Sequence, residues 1–249
     1  MKTTCILFSL VTLTAAPAVA QTKVRTQATQ AWVGYFNQTR LSNRWGLWLE
    51  EQVRTREDLV EGLSVNLLRA GVTYYFSDAT KLTAGYAFVN HFPGDNHPDV
   101  SQPEHRGWQQ LQWHTKYSRL RTMQWFRLEE RYRRRIASDS SLGDGYNFNF
   151  RGRYNFLLQL PLSREVRKGT FSLIANNEVL INFGKEVVAN YFDQNRAFIG
   201  AAYNLNAVDN LQFGYLNVFQ QLATPGRYRT LHTARVSFFH NLDLRKKKS

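Results

Sequence analysis

The run Arg127-Leu128-Glu129-Glu130-Arg131 sets guanidinium and carboxylate groups two residues apart. In an extended chain that spacing puts Arg127, Glu129 and Arg131 on one face. Other segments carry the same chemistry. Glu104-His105-Arg106 leads into Trp108-Gln109-Gln110, and Asn176, Glu178 and Asn182 share a parity. Asp193-Gln194-Asn195-Arg196 opens a later segment. Glu50 and Arg54 form a further pair, and Arg151 and Arg153 continue the parity of Asn147 and Asn149. Two uses are open to such groups. Glu129 and Glu178 could exchange protons with a substrate as general acid and base. Alternatively, the charges pair with each other, because a charge withdrawn from water must be compensated. Arginine suits pairing through its planar fork and its stacking on aromatic rings. We expect Glu50, Arg54, Glu104, His105, Arg106, Arg127, Glu129, Arg131, Arg151, Arg153, Glu178, Asp193 and Arg196 to form such a network, with a substrate or ion site as the alternative.

Several chemistries are absent from the sequence. There is no glycine-rich phosphate loop and no metalloprotease motif. Outer-membrane esterases and deacylases place a serine two residues after a histidine. None of His91, His97, His105, His114, His232 and His240 has one. His91 and His97 flank Pro93-Gly94-Asp95-Asn96, with Pro98-Asp99 following. Those residue types are also what an ordinary loop needs, so no metal and no cofactor are expected. No catalytic residue can be assigned.

The elements that must hold these side chains read as strands. Alternation of period two recurs around 32–36 and over 45–56, 65–76, 81–91, 106–117, 122–135, 146–160, 171–183, 195–205, 211–221 and 230–242. In 146–160, Tyr146, Phe148, Phe150, Tyr154, Phe156, Leu158 and Leu160 share one face. Asn147, Asn149, Arg151, Arg153, Asn155 and Gln159 share the other, with Leu157 as the exception. Alternation this long needs one apolar and one polar medium. The polar faces carry charges in register, and Phe, Tyr and Trp gather near strand ends as girdles would. The fold expected is an all-β, antiparallel transmembrane barrel in one domain, 21–249. A soluble β-sandwich binding an anionic polymer is the alternative. Eleven segments are counted, but a bacterial single-chain barrel has an even number. Twelve strands are therefore expected, with ten possible and 22–30 as the place for a hidden one. Short links at 77–80, 118–121 and 205–209 alternate with longer ones at 92–105, 136–145 and 222–229, as periplasmic turns and outer loops do.

Residues 1–20 differ from the rest. Lys2 precedes the apolar stretch Ile6 to Leu13, and Ala18-Val19-Ala20 has the form of a cleavage site. This is the pattern of a secretory signal peptide. The one cysteine, Cys5, lies inside it, so the mature chain would hold no thiol. The 249 residues carry a formal charge of +13. Removing 1–20 takes away only Lys2, which leaves +12. Export argues for anionic lipid and lipopolysaccharide as the partners of this charge, not nucleic acid. A bacterial outer-membrane location, contact with the barrel-assembly machinery and a monomer are expected. The end of the chain, 242–249, lacks the terminal aromatic residue that such machinery often reads.

At these same positions the sequence resembles a bacterial family known as domain of unknown function 2490. The resemblance rests on Trp32, Glu50, Arg54, Gly71, Tyr74-Tyr75, Gly85-Tyr86, Glu104-His105-Arg106, Trp108-Gln109-Gln110 and the 127–131 run. It continues with Glu178, Asp193-Gln194-Asn195-Arg196, Gly200 and Gly214-Tyr215. It implies an outer-membrane-type barrel and brings no established activity. The role expected is structural, or a narrow or plugged pore or binder for small polar or anionic solutes. A lipid-modifying outer-membrane enzyme is the alternative.

Overall fold

The computed structural model describes residues 23–56, 58–94 and 98–245. The expected leader at 1–20 and the tail 246–249 lie outside them. The strands are β1 (Val24–Arg40), β2 (Trp45–Thr55), β3 (Leu63–Tyr75), β4 (Thr80–His91), β5 (Gln102–Tyr117) and β6 (Leu120–Ser138). They continue as β7 (Ser141–Pro161), β8 (Phe171–Phe183), β9 (Phe192–Asn204), β10 (Asp209–Gln221) and β11 (Arg227–Asp243). Each pairs antiparallel with the next, and β1 pairs with β11 to close a barrel. That closing pair is parallel, running from Val24 opposite Arg227 to Arg40 opposite Asp243.

The expected twelve strands are thus corrected to eleven among the described residues. The stretch 22–30 hides no separate strand: from Val24 onward it is the first half of β1. An odd number closes because a parallel ladder can satisfy the edge groups of both strands as an antiparallel one does. One consequence is that β1 begins at one end of the barrel and β11 finishes at the other. The N-terminal end carries links 56–62, 92–101, 139–140, 184–191 and 222–226. The C-terminal end carries 41–44, 76–79, 118–119, 162–170 and 205–208.

The link expected at 136–145 is not a loop. β6 and β7 continue past it as a hairpin, with register shifts between Arg134 and Ile136 and between Ile136 and Ser138. An irregularity of this kind removes the alternation from the sequence while pairing goes on.

The barrel is polar within and apolar without. β8 alternates strictly: Ser172, Ile174, Glu178, Leu180 and Asn182 are buried, while Phe171, Leu173, Ile181 and Phe183 are exposed. Leu49, Leu68, Phe126 and Ile199 lie on the same outer surface, Ile199 at 67% exposure. Outer rings stack across strands near both ends. Trp45 meets Tyr74 at 5.1 Å and Phe171 meets Tyr203 at 4.6 Å toward the C-terminal end. Tyr132 meets Phe148 at 4.7 Å and Phe219 meets Tyr228 at 5.5 Å toward the other. This arrangement is one closed sheet, so the two-sheet sandwich is excluded as the fold. Two small apolar clusters do lie inside. One holds Trp32, Ile174, Phe198, Ala202, Leu216, Val218 and Leu231, with Leu157 against it. The exception in the alternation of 146–160 is therefore an inward leucine with apolar partners. The other is Trp48, Ala87 and Trp108.

Candidate functional site: an arginine-rich lumen

Glu129 has no exposed surface. β6 aims it inward, and four strands supply the arginines around it. Arg153 Nη1 donates to its Oε1 at 2.7 Å and Arg69 Nη2 at 3.0 Å. Arg106, Arg127 and Arg151 stand at 3.6, 3.8 and 4.0 Å. Arg69 also donates to Glu50 at 2.7 Å, and Arg153 donates to Glu178 through Nε at 2.7 Å. Arg196 Nη1 reaches the other Glu178 oxygen at 3.3 Å. Glu50, Arg69, Glu129, Arg153, Glu178 and Arg196 thus form one unbroken chain across the lumen, drawn from β2, β3, β6, β7, β8 and β9.

Glu104 centres a second group toward the N-terminal end. Arg131 Nε and Arg106 Nε donate to its Oε1 at 2.5 and 2.7 Å. Arg133 Nε donates to Oε2 at 3.1 Å, where His91 Nε2 also lies at 2.9 Å. Asp193 pairs with Arg151 at 3.0 Å. Asp193 faces inward because the register slips there: Leu180 pairs with Gln194 and Ile181 with Phe192, leaving Asp193 as the extra residue. Without that bulge, Asp193 and Arg196 would point to opposite faces.

Tryptophans fill the gaps between arginines. Arg54 stacks on Trp32 at 3.9 Å, with Arg196 at 5.2 Å. Arg127 lies 4.8 Å from Trp108 and 4.9 Å from Trp125, and Arg69 lies 5.3 Å from Trp108. Trp48 Nε1 donates to Glu50 at 3.1 Å. Of the six tryptophans, Trp32, Trp48, Trp108 and Trp125 are therefore in the lumen and not in the girdles expected for them. An indole face accepts a guanidinium more favourably than any aliphatic side chain would. Room for Trp108 comes from glycine. Gly71 and Gly85 face each other across β3 and β4, and a Cβ on Gly71 would stand 2.9 Å from the indole.

Of the residues expected to share a network, all but His105 face the lumen, and Arg54 bonds Gln52 there and not Glu50. His105 points outward, where its Nδ1 meets the Tyr86 hydroxyl at 2.5 Å and its ring packs 5.5 Å from Phe88. Alternation explains this, since Glu104 and Arg106 face in. Arg69, Arg229 and Arg235 also face the lumen and were missed, and Arg133 joins Arg127, Glu129 and Arg131 there. Arg69, Arg229 and Arg235 each lack an acidic neighbour at matching parity close by on the same strand, so spacing alone does not mark them. Arg235 lies 3.5 Å over the Phe198 ring. His97 lies outside the described residues, and His91 is engaged by Glu104.

Among the described residues, eleven arginines face the lumen against five carboxylates: Arg54, Arg69, Arg106, Arg127, Arg131, Arg133, Arg151, Arg153, Arg196, Arg229 and Arg235 against Glu50, Glu104, Glu129, Glu178 and Asp193. Arginines thus exceed carboxylates by six, and buried Lys81 adds one more cation toward the C-terminal end. Two cavities flank the charge chain. That on the N-terminal side, about 270 Å³, is lined by nine of these arginines. That on the other side, about 150 Å³, is lined by Phe36, Trp48, Met123, Trp125, Leu157, Phe239 and their neighbours. Trp32, Gln52, Arg153 and Arg196 border both and form the partition.

No curated protein and no solved structure matches the chain. One family profile does, described as a protein of unknown function (DUF2490), and it spans residues 29–229. That stretch holds every lumen arginine except Arg235 and all five lumen carboxylates. The chain belongs to the DUF2490 family.

Proposed function

We propose that this protein is a bacterial outer-membrane barrel, exported by a leader at 1–20, whose occluded lumen binds small anionic solutes and does not conduct as an open pore. The observation that carries the reading is the charge chain from Glu50 to Arg196, which crosses the barrel and leaves an excess of guanidinium groups on both sides. The apolar outer face supports a bilayer setting, since lipid is the medium in which leucine and phenylalanine belong outside. The strands of 11–21 residues are long enough to span one. The links at 41–44, 76–79, 118–119 and 205–208 would face the periplasm, with outer-membrane lipid and lipopolysaccharide around a monomer placed there by the assembly machinery.

The lipid-modifying reading finds less support. Among the described residues the partners of Glu129 and Glu178 are arginines, so no nucleophile stands beside either carboxylate. A soluble carrier would place its apolar faces inside.

The test combines fractionation with conductance. The full chain, expressed in a Gram-negative host, should appear in the outer-membrane fraction as a band that shifts on boiling. In planar bilayers the folded protein should give no conductance steps. A soluble periplasmic band without a heat shift would reject the membrane reading, and regular steps from the wild type would reject occlusion.

A further inference from the structure

The cavity on the N-terminal side has a composition that a purely structural network does not require. Arg54, Arg69, Arg106, Arg131, Arg133, Arg151, Arg153, Arg196 and Arg229 line it, and Asp193 is the one carboxylate among its described lining residues. These arginines come from β2, β3, β5, β6, β7, β9 and β11, so they surround the space and do not form a single wall. Glu104, Glu129 and Glu178 neutralise several of them from behind. Arg54 is different: its Nη2 donates to Gln52 Oε1 at 3.1 Å, and Trp32 lies beneath it. A network that served packing alone would approach charge balance, because uncompensated like charges in an enclosed space repel. The cavity therefore calls for an anion.

Its chemistry follows from the residue type. Arginines outnumber lysines in the lumen, where Lys81 lies well away, toward the C-terminal end beside Gln38. The planar fork of arginine matches two oxygens of a phosphoryl group at once, whereas an ammonium is a point charge. Several converging forks suit more than one phosphoryl group. A third cavity, about 370 Å³, adjoins this one and shares Arg131, Arg133 and Asn190. Its wall adds Asn147, Asn149 and Asn182, with Glu186 as its one carboxylate among the described residues. Amides offer both donors and acceptors, which is what hydroxyl groups need.

We infer that these two adjoining cavities form a binding site for a phosphorylated sugar, with its phosphoryl groups in the arginine ring and its hydroxyls among the asparagines. The inference rests on the reading of the lumen as an anion binder and names its ligand class. A soluble sugar phosphate and the phosphorylated sugar headgroup of a glycolipid present the same chemistry.

The experiment uses the full chain folded in zwitterionic detergent at low salt, titrated calorimetrically with a glucose bisphosphate, with glucose and with inorganic phosphate. The bisphosphate should bind most tightly, inorganic phosphate more weakly and glucose not at all, and added salt should weaken the binding. Arg54→Gln should weaken it about tenfold, since one charged donor is lost. Asp193→Asn should tighten it, because the one carboxylate among the described residues lining the arginine-ringed cavity loses its charge. Opposite signs in two neutralising variants are not produced by general loosening of the barrel. If either variant fails to give a heat-shifting band, Arg133→Gln, at the more exposed side of the ring, should weaken binding in its place. The same titration in nanodiscs with a bisphosphorylated glycolipid separates the sources: binding there alone assigns the site to a lipid headgroup. Binding of neither form overturns the inference. A heat-shifting, non-conducting barrel that binds neither would leave the membrane reading standing, while a soluble or conducting protein would fail that reading first.

Discussion

Glu129 faces five guanidinium groups from β3, β5, β6 and β7, and its loss would leave them facing one another. Breaking a buried pair costs more than the pair contributes, because the partner stays buried and charged. Glu129→Gln should therefore lower stability by about 3–5 kcal/mol. Urea unfolding can measure this, since Trp32, Trp48, Trp108 and Trp125 all report on the lumen. Glu61→Gln, in the exposed link 56–62, should stay within about 0.5 kcal/mol of wild type. Equal effects of the two would remove Glu129 from the centre of the network. Turnover of a lipid substrate lost in a well-folded Glu129→Gln protein would instead revive the enzymatic alternative.

Among the elements, β3 with β4 and β9 with β10 are held close by facing glycines. Gly71 stands opposite Gly85, and Gly200 opposite Gly214. A Cβ on Gly85 would overlap the Ala70 carbonyl oxygen, and one on Gly214 would overlap that of Ile199. Backbone atoms in a paired strand cannot move aside cheaply. Gly85→Ala should thus reduce the yield of heat-shifting barrel, whereas Gly152→Ala, whose nearest neighbour would be 3.6 Å away, should not. Gly85→Ala folding as well as Gly152→Ala would show that the close approach is dispensable. In the sequence, Gly71, Gly85, Gly200 and Gly214 enter only as positions of the family resemblance. Their meaning lies in cross-strand register, which only the pairing of β3 with β4 and β9 with β10 sets. Asp193 is a similar case, because a bulge and not its parity turns it inward.

For the whole molecule, the decisive property is the inverted distribution of polarity. Ile199 lies on the outer face, midway along β9. Ile199→Arg should cost about 2–4 kcal/mol when the barrel is unfolded from lipid vesicles, if that face meets the bilayer interior. A negligible cost would place the face in water. The sequence by itself determined the two faces of nearly every strand, the eleven alternating segments and the place of Glu50, Glu104, Glu129 and Glu178 on polar faces. Those follow from a period of two residues, which is a local property of extended chain. It could not determine that β1 closes on β11 in parallel, because that choice belongs to residues some two hundred positions apart. It also could not show that Arg69 links Glu50 to Glu129, or that four tryptophans pack between arginines inside. Partners across a lumen share no spacing in sequence. The charge chain, its partition of two cavities and the surplus of guanidinium around one of them exist only once the sheet has closed.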